Sequence, residues 1–194
     1  MDYHVIAGGV SVSTGFVIGL LYIREVLRGD TKPHVFTWLV WALLMSIAAA
    51  VSFAGGAIIG ALVLAAGAAL NFIITGLALR YGERNITRSD WAMFLSALAI
   101  IPIWVMTKEP LTAAVLVTSI DLLGCVPTFR KGWLRPHEES AKVFALFAVT
   151  NVFTVLSVTP YNFVTGLYPT MCFAMDLLLA TMLLARRRAV AASA

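Results

Sequence analysis

Charge is what this chain has least of. Fourteen Lys and Arg and ten Asp and Glu make up 12% of 194 residues, against 60% hydrophobic residues and a mean hydropathy of +0.90. A soluble domain carries about 25% charged and about 45–50% apolar residues, so a water-soluble fold is excluded. Cysteine is nearly absent. Cys125 and Cys172 both fall within apolar runs, where they read as small packing residues rather than a disulfide. With three histidines and no convergent His and Cys cluster in the apolar runs, neither a metal site nor a cofactor is expected. The first residues, Met1-Asp2-Tyr3-His4, lack the positive region of a cleaved signal peptide. Although the net charge is +4, the basic residues sit at the ends of apolar segments, which argues for membrane topology and against nucleic acid as a partner.

What is present is a repeat. Lys32-Pro33-His34 returns as Arg135-Pro136-His137, with the prolines 103 positions apart. Each copy follows an apolar segment ending in basic residues and precedes two more apolar segments, and such internal repeats define an architecture. A spanning helix needs about 20 apolar residues. With short loops seven spans fit: about Val5–Ile23, Val35–Ala54, Ile58–Leu79, Trp91–Met106, Leu111–Phe129, Val143–Val158 and Phe163–Ala185. The runs are continuous rather than alternating, so they predict helices and not barrel strands. Pro102 predicts a kink in the fourth segment. Gly55-Gly56, Lys108-Glu109-Pro110 and Pro160-Tyr161-Asn162 predict turns, and the tail Ala189 to Ala194 reads as disordered.

The expected fold is an all-α membrane protein of seven transmembrane helices. Two parallel three-helix units, residues 5–80 and 110–188, are joined by a linker helix at 90–107. Thirteen of the fourteen basic residues fall in alternate loops and at the C-terminal end, leaving only Lys108 on the other side. Positive residues stay cytoplasmic. The chain is therefore expected in a cell membrane, with its N-terminus outside and C-terminus inside. The lone fourth helix re-inverts the chain, so both units are expected to cross in the same direction, the parallel-repeat design of some transporters.

Eight of the ten acidic residues lie in loops or termini; Asp121 and Asp176 do not. A charge at the centre of a spanning helix costs about 2.5–3.5 kcal/mol on insertion scales and faces a cavity or a partner. At about 1.5 Å per residue, Asp121 lies roughly 13 Å from the cytoplasmic end of its segment, and Asp176 lies about as deep in the seventh. Asn71 in the third segment aligns with Asp176, and Asn151 lies at mid-depth in the sixth. These four, with Trp41 as a further wall, are the candidate substrate-binding residues. Each has a plainer reading: interhelical hydrogen bonds for the asparagines, structural protonated groups for the aspartates, and interfacial belt or packing positions for Trp38 and Trp41. His34 and His137 read as helix-entry residues at the membrane surface.

Two three-helix units around a linker helix, with a basic loop after the first helix of each, resemble the SWEET and PQ-loop (MtN3-like) transporter superfamily. Pro127-Thr128 stands where PQ-loop proteins carry Pro-Gln, and the equivalent Arg24-Glu25 has neither residue. Asn71 and Asp176 stand where SWEET transporters place an asparagine pair. The resemblance implies alternating access around a midplane site. Its partners would be a small-molecule substrate and the lipid bilayer, with a homo-oligomer left open. An aspartate in the pair adds a group that holds a charge or a proton, which points to proton coupling or an amine-bearing or cationic solute. The alternatives are a PQ-loop-type receptor or sensor, and a membrane enzyme. Asp121 follows Ile120 and Asp176 follows Met175, so the Tyr-Asp and Gly-x-Gly-Asp contexts of an intramembrane aspartyl protease are absent. The seventh segment has no lysine for a retinal Schiff base.

Overall fold

A computed structural model describes residues 3–54, 56, 58–106 and 109–192. Met1-Asp2, Gly55, Lys108 and the last two residues of the tail lie outside the described residues. Seven α-helices are found among those described: α1 (Tyr3–Arg28), α2 (Val35–Ala54), α3 (Ile58–Tyr81), α4 (Arg88–Met106), α5 (Pro110–Leu134), α6 (Ala141–Ser157) and α7 (Phe163–Ala192). No strand occurs among the described residues. α1, α3, α5 and α7 are long and apolar enough to cross a membrane, and α2 and α6 contribute shorter apolar stretches. Large aliphatic side chains stand on the outside of the bundle, Ile59 81%, Leu79 67% and Leu62 66% exposed. That exterior suits lipid and not water.

Local chemistry sets the helix ends. α1 outruns its apolar segment and stops where Gly29, at φ +82°, permits a left-handed residue. There Asp30 N donates to Glu25 O and Gly29 N to Val26 O, both at 3.0 Å, which closes a Schellman motif. α4 starts three residues before the expected Trp91. Thr87 and Asp90 cap it reciprocally, Thr87 N donating to Asp90 Oδ2 at 2.7 Å and Asp90 N to Thr87 Oγ1 at 3.3 Å. α5 begins at the Pro110 position behind Glu109, which accepts from Leu111 N and Thr112 N. α6 is capped by Ser140, whose Oγ accepts from Val143 N at 3.2 Å.

Two expectations are corrected. Residues 130–134, beyond the expected segment Leu111–Phe129, are the last turn of α5, which ends only where Pro136 disfavours helix in Arg135. The tail is helical through Ala192 as a continuation of α7.

α3 packs against both α1 and α2, and α7 against both α5 and α6. Among the described residues the α1 and α2 backbones do not come within 8 Å of each other, Cα to Cα, nor do those of α5 and α6. Two seams join the halves, α1 against α6 and α2 against α5, while α4 packs on α5 and α2. One apolar core gathers Ile18, Tyr22, Trp38, Ile74, Phe144 and Leu183; another gathers Phe36, Val40, Phe94, Ala97 and Ile120. The α2–α5 seam is close enough that a Cβ on Gly124 would stand 2.8 Å from Val40 Cγ1.

Candidate functional site

One face of α5 carries Asp121, Gly124, Cys125 and Thr128, spaced as a helix stripe. Asp121 is 8% exposed, and a carboxylate so placed needs donors. α2 and α7 supply them. Trp41 Nε1 donates to Asp121 Oδ1 at 2.5 Å, and Cys172 Sγ lies 3.6 Å from Oδ2. Nearer the basic end, Thr128 donates to Thr37 Oγ1 at 2.9 Å, which donates to Gly124 O at 2.6 Å. This chain of bonds ties α2 to α5 where Gly124 lets them approach.

Asp176, on α7, accepts from Asn151 Nδ2 of α6 at 2.8 Å. Asn151 Oδ1 accepts from Thr154 at 3.3 Å, and Thr154 Oγ1 shares a hydrogen bond with Ser11 of α1 at 2.6 Å. Thr150 donates to Thr14 Oγ1 at 3.1 Å. A hydroxyl ladder therefore runs along the α1–α6 seam to Asp176. Between the two seams lies a cavity of about 10 Å³ walled by Trp41, Cys125, Thr128, Phe144 and Asp176 among others. That is room for about one water.

Trp41 thus touches Asp121 and shares a cavity wall with Asp176, which Asn151 holds. Asn71 belongs to a different contact. Its amide donates to Gly67 O at 2.9 Å and lies 3.4 Å from Met45 Sδ, at the α2–α3 interface. No hydrogen bond joins it to Asp176, and it does not line the cavity.

Sequence reading missed Cys172 as a neighbour of the acidic pair, although Cys172 and Asp176 are four apart, like Asp121 and Cys125. Both thiols are free. It also missed the seam hydroxyls Ser11, Thr14, Thr37, Thr150 and Thr154, which look like ordinary helix residues until a partner helix is known. Among the described residues no group of three His, Cys, Asp or Glu is placed to hold a metal ion.

A second polar layer closes the basic end. Lys131 and Glu139 form an ion pair with both side chains fully buried, and Tyr22 donates to Glu139 Oε1 at 2.7 Å. Arg130 grips Asp90 with Nε at 2.9 Å and a terminal nitrogen at 2.7 Å. Arg135 pairs with Glu83, and Lys32 with Glu138 at 2.6 Å. Burial works to raise the carboxyls of Asp90 and Glu83, but bonds from Arg130 and Thr87, and from Arg135 and Asn85, outweigh it and hold both below the usual carboxylate range. His34, directly before α2, is fully buried, 3.5 Å from Asp90 Oδ2. Loss of hydration lowers its pKa to about 4, against the pull of Asp90. Comparison of the chain with protein-family models, with curated proteins and with solved structures finds no match in any of the three.

Proposed function

We propose that the chain is a small-solute membrane transporter that works by alternating access. Its seven spans would form two parallel three-helix units around a linker helix, N-terminus outside and C-terminus cytoplasmic. One observation carries the reading: the reciprocal seams, α1 against α6 and α2 against α5, with a carboxylate beside each, Asp121 buried and Asp176 half-buried. If α1, α2 and α3 correspond to α5, α6 and α7, those seams exchange under the repeat. Two units that meet along equivalent seams can rock about the polar residues between them.

The solute class follows from the groups on offer. Asp121 and Asp176 are acceptors when ionised and donors when protonated, Asn151 and Trp41 add N–H donors, and Thr128 offers both roles. Such a set suits an amine-bearing or cationic solute, or a proton moving with a neutral one. The likeness to SWEET and PQ-loop proteins rests on the helix plan and the residues quoted above. A PQ-loop-type receptor without transport is the second reading, favoured by the tight packing around a one-water cavity. Flux into proteoliposomes of radiolabelled amines, basic amino acids and a neutral sugar, with and without a pH gradient, separates the two. Movement of none of these under any gradient would favour the receptor.

A further inference from the structure

The polar cavity and the basic end of the bundle are separated by two layers. The first is aromatic. Tyr22 and Phe144 are at most 1% exposed and Trp38 is 3% exposed. The Tyr22 ring centroid stands 4.5 Å from Trp38 and 6.4 Å from Phe144, and Phe144 is itself a wall of the cavity. The second layer is the fully buried Lys131–Glu139 pair. It is bonded to the first through Tyr22 Oη. Lys131 Nζ also donates to the carbonyls of Lys32 and Glu138, and Lys32 N donates to Glu138 O at 2.9 Å. The α1–α2 connection and the α5–α6 connection are thereby tied to each other beneath the cavity. Beyond the pair lies an open polar groove of about 320 Å³, walled by Glu25, Thr31, Glu139, Lys142 and Arg187 among others.

A buried ion pair is a poor way to gain stability, because removing two charges from water offsets most of their attraction. It is a good way to build a reversible closure. When an apolar plug parts, apolar surface meets water and opening is opposed throughout. When this pair parts, each charge regains hydration in the adjoining groove, so the closed and open arrangements stay near balance.

We propose that Lys131, Glu139 and Tyr22, with Trp38 and Phe144 above them, form the cytoplasmic gate of the solute path, closed in this structure. The inference rests on the transporter reading, and names what controls access to its site from inside. Cys125 supplies the readout, since it lines the cavity above both layers and is buried. The protein, carrying Cys172→Ser so that Cys125 is the sole thiol, is reconstituted in vesicles and exposed at its cytoplasmic face to a membrane-impermeant maleimide. Glu139→Gln leaves Lys131 without its carboxylate and should speed Cys125 labelling by about tenfold, the response to a 1.4 kcal/mol shift in the closed-to-open balance. Lys131→Met with Glu139→Leu makes the layer apolar and should slow labelling below the parent rate. Opposite changes are the signature of a gate. Equal rates in all three proteins, or a change of the same sign in both variants, would overturn it. Should Glu139→Gln fail to fold, the apolar pair alone decides by whether labelling falls. Solute flux through the parent protein is a separate readout: its absence rejects transport, whereas unresponsive labelling with flux intact rejects only the gate.

Discussion

Asn151 donates to Asp176 Oδ2 at 2.8 Å between α6 and α7, and between α2 and α3 Asn71 Nδ2 lies 3.4 Å from Met45 Sδ. The two contacts lie 106 positions apart on the α2/α6 side and 105 on the α3/α7 side. Under the proposed repeat, each third-helix position carries a polar side chain with a different partner. In the first half the asparagine is satisfied by a thioether and its own helix; in the second the aspartate is held by an amide.

Asp176→Asn would turn the second contact into an amide pair and remove a group that holds a charge or a proton. Flux driven by a pH gradient should then lose its dependence on that gradient while the protein still folds. Retention of both pH dependence and substrate preference would show that Asp176 is neither proton carrier nor cation site.

Trp41→Phe removes the donor to Asp121 Oδ1. A buried acceptor left short of a partner costs about 1–3 kcal/mol, read as a lower unfolding midpoint in mild detergent. If the Trp41–Asp121 bond is the cause, the same Trp41→Phe change in an Asp121→Leu background should cost less. Equal losses in both backgrounds would assign the effect to the lost indole packing.

His34 predicts an acid limb in stability. Its folded pKa of about 4 lies below the ordinary 6.5, so between those values the unfolded chain takes up a proton that the folded chain refuses. Stability should therefore fall as pH drops through that window, by about 3 kcal/mol at about 1.4 kcal/mol per unit. Asp90 slopes the same way but lower, because a depressed carboxylate pKa gives stability that is lost only as pH falls through that folded value. Thermal midpoints of His34→Gln between pH 7 and 4 should show a flattened upper limb; an unchanged profile would clear His34 of the effect.

Topology is tested by single cysteines in a background lacking Cys125 and Cys172. Asn162 should label from outside and Asn85 from inside, both being exposed in their loops. Gly132 is unsuited as an inner site because it is buried, and a Cβ there would stand 2.9 Å from Leu183 Cδ2. Labelling of Asn162 and Asn85 positions from one face would reject the seven-span reading.

The sequence by itself determined the helical class, the seven segments and the two depths at which a carboxylate meets an apolar helix. Those are local facts: run length, turn residues, and charge placed among aliphatic neighbours. It did not determine which side chains meet. Trp41 reads as a belt residue until α5 brings Asp121 against it, and Asn71, aligned with Asp176 by the expected repeat, bonds to Met45 and Gly67. Residues 130–134 read as loop because their charge hides the fact that Lys131 has Glu139 to pair with. Hydropathy scores each side chain against water or lipid alone. A buried charge is stable only in company, and only the packing of α1, α2, α5 and α6 supplies it.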